Sequence, residues 1–367
     1  MTPRKTILFL ICFFLTVIST VLFAQEDSTH QQDLRYARGL WEKFRFGDMA
    51  RKELTQLVNT PSVPQEIKKE AHKTISSVLS EIAGQENDAV KRNTLLEKAG
   101  EHLEKSGVAP DSLDYALLKF NMVKAIVKAL KQKKEAGKLT PEAEKEIKEK
   151  CISQSGDALK TFENISQKNK KEYEKLMDKF FEDSSLQNNR EFREKYANVS
   201  GAYINATLKW GELRIIISNL YNKGESSRYQ GLKELIDALE DFGWFVNSTV
   251  ATAESNLLKA RAKVILSEKT PKYWEEAMGH FSEACTMQPQ RGDPPAVKKR
   301  LRITRLKAYM EKMNICMEHK KWKEAEKTAK NFKIDFRRTK YQWLQYKMEI
   351  DRAMAVAHLA RQNESGY

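Results

Sequence analysis

Apolar residues return at steps of three and four along nearly the whole chain, the spacing that lines one face of an α-helix. Leu34, Ala37, Leu40, Trp41 and Phe44 share a side between Asp33 and Phe46, and a return helix follows from Met49 to Val58. Further helices are read at Gln65–Ala83, Asp88–Lys105 and Ser112–Ala136, the last with Leu113, Leu117, Phe120, Val127 and Leu130 in register. Thr140-Pro141 opens another, a threonine cap followed by proline at the first helical position. Within Arg190–Tyr221 the stripe is Ala202, Ala206, Trp210, Leu213 and Ile217. The triplet Ile215-Ile216-Ile217 makes that segment apolar on more than one side, as a central helix would be. Gln230–Phe245, Ser248–Leu266, Lys272–Pro289, Ala296–His319 and Lys340–Arg361 follow.

Turn chemistry punctuates the pattern. Gly47-Asp48, Thr60–Pro64, Gly84–Asn87, Gly107–Pro110, Gly137–Leu139, Asn222–Ser226 and Gln288–Pro295 are read as connections. Gly156-Asp157 reads as a turn, and the polar stretches Lys168–Lys171 and Glu182–Asn189 as loops or frayed ends. Only 15 Gly and 9 Pro stand among 367 residues, 41% of them hydrophobic and 31% charged, and strand signals are scarce. The expected class is all-α, an α-solenoid of stacked antiparallel helical hairpins.

The clearest unit is Lys272–Pro289. Ala277, Phe281, Ala284 and Pro289 have the spacing A-x3-F-x2-A-x4-P, preceded by Trp274 and by Thr270-Pro271 as cap and first-turn proline. Small residues let a neighbouring backbone approach, the aromatic fills the gap between them, and Pro289 cannot continue the helix. This resembles the second helix of a tetratricopeptide repeat. In the helix before it, Ala262 and Ile265 take the small and partner-facing positions if the intervening turn is longer than usual, with Arg261 where an apolar residue is expected. Trp322, Ala325 and Ala329 repeat the arrangement, while Ala158, Phe162 and Ile165 give a fainter small–aromatic–apolar series. The resemblance implies a superhelix with a concave, protein-binding surface.

Arg4-Lys5, the apolar stretch Ile7–Val21 and the ending Leu22-Phe23-Ala24 have the layout of a secretory signal cleaved after Ala24, residues 25–32 then forming a linker. An uncleaved anchor formed by residues 7–23 is the alternative; no later segment is apolar enough to span a membrane. Residues 33–295 form the helical-repeat region, and 296–367 a basic last repeat with a capping helix. The expected location is periplasmic or extracellular, or anchored at the inner membrane. Cys151, Cys285 and Cys316 remain after cleavage; Cys285 and Cys316 lie on helices of adjacent repeats, either as a pair or as small buried residues.

Charge is concentrated late in the chain. The formal net charge is +14, and Lys298–Lys347 alone holds 17 basic against 5 acidic residues. Lys298, Lys299, Arg300, Arg302, Arg305, Lys320, Lys321, Arg337, Arg338 and Lys340 cluster there with Trp322, Phe336, Tyr341 and Trp343. Such a field attracts an acidic protein, an anionic glycan or anionic lipid head groups, and nucleic acid ranks last because export removes the chain from most of it. The plainer reading is a solvated basic face over core aromatics.

Catalytic signals are thin. Glu254-Ser255 is the pair that lytic transglycosylases use, but the glycine-rich and Gly-Leu-Met-Gln elements of those enzymes are absent. Cys316 and His319, and Glu276 and His280, could each share a helical face, yet two ligands do not make a metal site. Arg291-Gly292-Asp293 is ordinary turn chemistry. No cofactor is expected. The expectation is a non-catalytic, exported scaffold for protein partners, acidic ones among them, with a binder of anionic envelope polymer as the alternative and a glycan-cleaving enzyme using Glu254 as the remote one.

Overall fold

The computed structural model describes residues 29–364 apart from 43, 45, 87, 138, 247 and 337–343. The expected leader, and with it Arg337, Arg338, Lys340, Tyr341 and Trp343, lies outside the described residues. Among those described, every regular element is helical. They are α1 (29–42), α2 (Gly47–Asn59), α3 (Gln65–Gln85), α4 (Ala89–Lys105), α5 (Leu113–Glu135), α6 (Pro141–Glu182) and α7 (Arg190–Ser218). After them come a single turn α8 (Ser226–Tyr229), α9 (Leu232–Phe245), α10 (Thr249–Ser267), α11 (Lys272–Thr286), α12 (Pro295–Glu318), α13 (Trp322–Asp335) and α14 (Leu344–Glu364). A 3₁₀ turn, Ser184–Asn188, joins α6 to α7. α1 begins inside the stretch read as a linker. Among the described residues no helix is long and apolar enough to cross a membrane.

Contacts divide the chain into two compact units, Met1–Thr161 and Phe162–Tyr367, with the boundary inside α6. In the first, α3 is the central element and packs against α2, α4 and α5. Its Ile67, Ala71, Ile75 and Leu79 meet Leu34 and Ala37 of α1, Leu54 and Leu57 of α2, Ala99 and Leu103 of α4, and Leu118 of α5. The helix starts are sealed locally: the Asp88 carboxylate accepts from the N–H groups of Val90 and Lys91, and Ser112 Oγ from that of Tyr115.

The connections expected at Gly156-Asp157 and Lys168–Lys171 do not exist, since both lie within the 42-residue α6. A buried stripe of Cys151, Ser155, Ala158, Phe162, Tyr173 and Leu176 runs straight through them, and nothing between Pro141 and Glu182 is a proline. A glycine inside a helix costs about 1 kcal/mol of propensity, which packing of the buried stripe beside it overrides. Lysine and glutamate are good helix formers, so a polar stretch alone does not end a helix. Thr140 caps α6 as expected, its Oγ1 accepting from the Ala143 N–H at 3.3 Å.

In the second unit α10 is buried on several sides, with Ala251, Ala253, Leu257, Leu258, Ala260, Ala262, Ile265 and Leu266 all shielded. It packs on α7, α9, α11 and α12. Gly211 of α7 permits a close approach: a Cβ there would stand 3.0 Å from Leu235 Cδ1 and 3.1 Å from Leu258 Cδ1. From α10 onward each helix packs on the next, and alternate helices also touch, α10 on α12 and α12 on α14. That is the packing order of an α-solenoid of helical hairpins. α12 ends in a Schellman turn, with Lys321 N–H bonded to Cys316 O at 2.7 Å and Lys320 in the left-handed region at φ 56°.

Shielded and half-buried ion pairs fasten this unit. Arg228 forks onto Glu268 at 2.8 and 2.9 Å and donates to the Ser218 and Tyr221 carbonyls, both at 3.1 Å, closing the end of α7. Arg261, misplaced for a tetratricopeptide-like apolar position, reaches Glu311 through two nitrogens and ties α10 to α12.

Candidate interaction surfaces

The hairpin formed by α10 and α11 places its signature residues inward. Ala277, Phe281 and Ala284 are buried, and Phe281 and Ala284 share a core with Leu257 and Ala260 of α10 and Leu306 and Tyr309 of α12. Ala262 and Ile265 are buried as well, and Glu268–Pro271 supplies the longer turn. α11 stops at Thr286, so Pro289 stands exposed in the following loop. The start of α11 differs from expectation: Pro271 is the cap residue and no side chain closes it, Thr270 contributing only its carbonyl to the Tyr273 N–H at 3.1 Å. In α13 Ala325, Ala329 and Phe332 occupy the positions of Ala277, Phe281 and Ala284, so the ring sits one turn later. Trp274 and Trp322 are half-buried at equivalent places 48 positions apart, and Trp274 leans on the His319 ring at 4.8 Å. That recurrence is longer than the ~34 residues of a tetratricopeptide unit.

The basic cluster separates into two kinds of residue. Arg305 is structural: its Nε donates to the Cys285 carbonyl at 2.6 Å, its Nη2 to Asp335 at 2.7 Å, and its guanidinium lies over Phe336 at 5.4 Å. The Arg302 guanidinium also lies over the same ring, at 5.6 Å. Phe336 itself is core, packed among Tyr309 and Phe332. Arg300 pairs with Glu254 at 3.2 Å on the surface. Lys298, Lys299, Lys320 and Lys321 are exposed and make no ion pair among the described residues.

The remaining candidates are used up locally. Glu276 binds the buried Lys263 at 2.8 Å, and Lys263 also meets His280 Nε2 at 3.1 Å, so Glu276 and His280 face an ammonium group. His319 packs tilted against Trp274, and the Cys316 thiol points to Met278 Sδ at 3.7 Å. Among the described residues no three His, Cys, Asp or Glu side chains converge as a metal site. Asp293 accepts from the Gln290 N–H at 2.7 Å and from Thr249 at 3.3 Å, which leaves the Arg291-Gly292-Asp293 carboxylate engaged in its own loop. Cys151, Cys285 and Cys316 are free thiols in the core; burial pushes them up to about 11, 12 and 11 in turn.

One surface has no counterpart in the sequence reading. A groove of about 550 Å³ follows the C-terminal half of α6, lined by Lys168, Lys171, Lys175 and Lys179, with Lys195 of α7 opposite. Reading Lys168–Lys171 as a loop concealed it; the signal that could have found it is the three-four-four spacing of those lysines.

Comparisons with protein-family models, with curated proteins and with solved structures find no match for this chain.

Proposed function

We propose that this chain is an exported, non-catalytic scaffold that binds protein partners on a tetratricopeptide-like helical surface. The observation that carries the reading is the recurrence of one packing scheme in consecutive hairpins: Ala277, Phe281 and Ala284 in α11, then Ala325, Ala329 and Phe332 in α13, all buried. A fold assembled from repeated hairpins leaves long rows of helical side chains available to a partner. Docking would rest on shape and on those side chains, with no bond made or broken. The apolar leader at 7–23 supports export to a periplasm or cell surface.

Affinity capture of the chain starting at Gln25, from its own envelope fraction and with cross-links mapped to residues, tests the reading. A protein partner retained at high salt and cross-linked to helices of the hairpin stack is the expected result. Recovery of no cross-linked protein at either salt sinks it.

A second reading, a binder of anionic envelope polymer, is favoured by Lys298, Lys299, Lys320 and Lys321, which project without ion pairs among the described residues. It expects binding that fades as salt rises. Reversal of those four lysines to Glu should abolish it, whereas Arg305→Glu would instead disturb the fold, since Arg305 bonds Asp335 and Cys285 internally.

A further inference from the structure

The groove beside α6 belongs wholly to the second unit and has four features that point to one kind of occupant. First, the lysines of its α6 wall are unpaired among the described residues. Lys168, Lys171, Lys175 and Lys179 lie on one side of the helix and are all exposed. Among the described residues none of them makes an ion pair, although adjacent Lys170 and Lys195 do, with Asp241 at 3.1 Å and Glu172 at 3.0 Å. Lys171, Lys175 and Lys179 follow one another at i,i+4, an arrangement in which like charges repel. An anionic ligand would relieve that repulsion.

Second, the groove is held open. Beside the groove α6 meets α7 through large rings. Tyr173 lies against Tyr196 and Tyr203 with centroids 5.4 and 6.0 Å apart, and the Tyr173 and Tyr196 hydroxyls are bonded at 2.9 Å. These rings act as spacers, and the Lys195–Glu172 pair fixes the opposite wall.

Third, its dimensions suit an extended chain. Lys168 to Lys179 is a straight run of about 16 Å at ~1.5 Å per residue along the helix. An extended peptide rises ~3.3 Å per residue, so acidic residues at alternate positions recur every ~6.6 Å. Successive lysines of the row are ~4.5–6 Å apart along the helix axis, which long side chains match easily.

Fourth, the lining disfavours other anions. Its apolar contribution is Leu176, and no aromatic ring faces in to stack on a base or a sugar. Asp178 and Glu182 line the C-terminal end and Glu172 is paired with Lys195, so the unpaired positive charge is concentrated from Lys168 to Lys175. A uniformly charged polymer would be repelled along part of its course.

We infer that the groove between α6 and the start of α7 is a docking site for an extended segment of a partner protein, with acidic residues at alternate positions meeting Lys168, Lys171 and Lys175. This rests on the protein-binding reading and names the partner's chemistry.

The test uses the full chain and a short fluorescent peptide in which Asp alternates with Ser, read by polarisation at low salt. Wild type should bind, Lys171→Glu/Lys175→Glu should weaken binding at least tenfold, and Lys171→Arg/Lys175→Arg should retain it. Lys98→Glu/Lys233→Glu, at exposed lysines of α4 and α9 outside the groove, should leave it unchanged, and circular dichroism melts establish that each variant folds. Failure of wild type to bind, or equal binding by the charge-reversed variant, overturns the proposal. Tighter binding of long-chain polyphosphate at the same lysines overturns it in favour of a polymeric anion. The scaffold reading stands on cross-linked partners anywhere on the hairpin stack, so its failure and that of the groove are separate results.

Discussion

The histidine pair His72 and His102 has a consequence for acid stability. Their Nδ1 atoms are 2.8 Å apart across α3 and α4, a distance at which one ring donates and the other accepts. Burial, followed by the charge of Lys105 and Lys68, lowers His72, and burial followed by His72 and Lys105 brings His102 down to about 4. The folded chain therefore favours the neutral rings, while the unfolded chain takes up protons near 6.5. Stability from this pair is intact above pH 6.5 and is lost as pH falls from 6.5 toward 4. Both rings are partly solvated, so the effect is on the order of 1–2 kcal/mol after discounting for screening. Denaturant melts at pH 7 and pH 4.5 should show a smaller acid-induced loss in His102→Gln than in wild type; an equal loss would assign the acid sensitivity elsewhere. Arg305 teaches the complementary lesson. In sequence it is one cation among ten, but its acceptors, Cys285 O and Asp335, come from elements on either side of it. Only the packed hairpins decide that it is a strut and that Lys298 is not.

At the scale of elements, helices were legible wherever the apolar period coincided with a break in it. α3, α4, α5, α9, α10 and α12 fall within two residues or so of the expected limits because capping residues, glycines and prolines mark those ends. α6 was not legible as one element, since Gly156-Asp157 has turn composition while its neighbours keep a helical stripe. Gly156 is helical with nothing within 4 Å of where a Cβ would lie, so the glycine serves no close approach. Gly156→Ala should then stabilise the chain by about 0.5–1 kcal/mol through helix propensity, raising the denaturant midpoint without changing its slope. A lower midpoint would mean that a turn or bend at Gly156 matters after all. The same continuity of α6 brings Lys168–Lys179 into one row, so the misread turn and the missed groove have a single cause.

For the whole molecule, the division at Thr161 and Phe162 leaves free thiols in both units, Cys151 in one and Cys285 and Cys316 in the other. Burial raises all three well above their ordinary range and keeps reagents out. At neutral pH the native chain should show no alkylation of these three residues by mass spectrometry, and all three should react in denaturant. Rapid labelling of Cys285 or Cys316 in native buffer would mean that the α10–α13 core opens readily, against the dense packing around it.

What the sequence by itself determined is the all-α class, most helix limits and the inward face of the last hairpins. Those depend on local periodicity and on capping, which act within a few residues of chain. What only the tertiary structure decided is how residues far apart are combined. It set which arginines are spent on internal carbonyls and carboxylates, that Arg261 finds Glu311 fifty positions on, and that tyrosines prop α6 away from α7 beside a row of free lysines. Side-chain reach and desolvation set those outcomes, and both are properties of the packed neighbours, which local pattern does not encode.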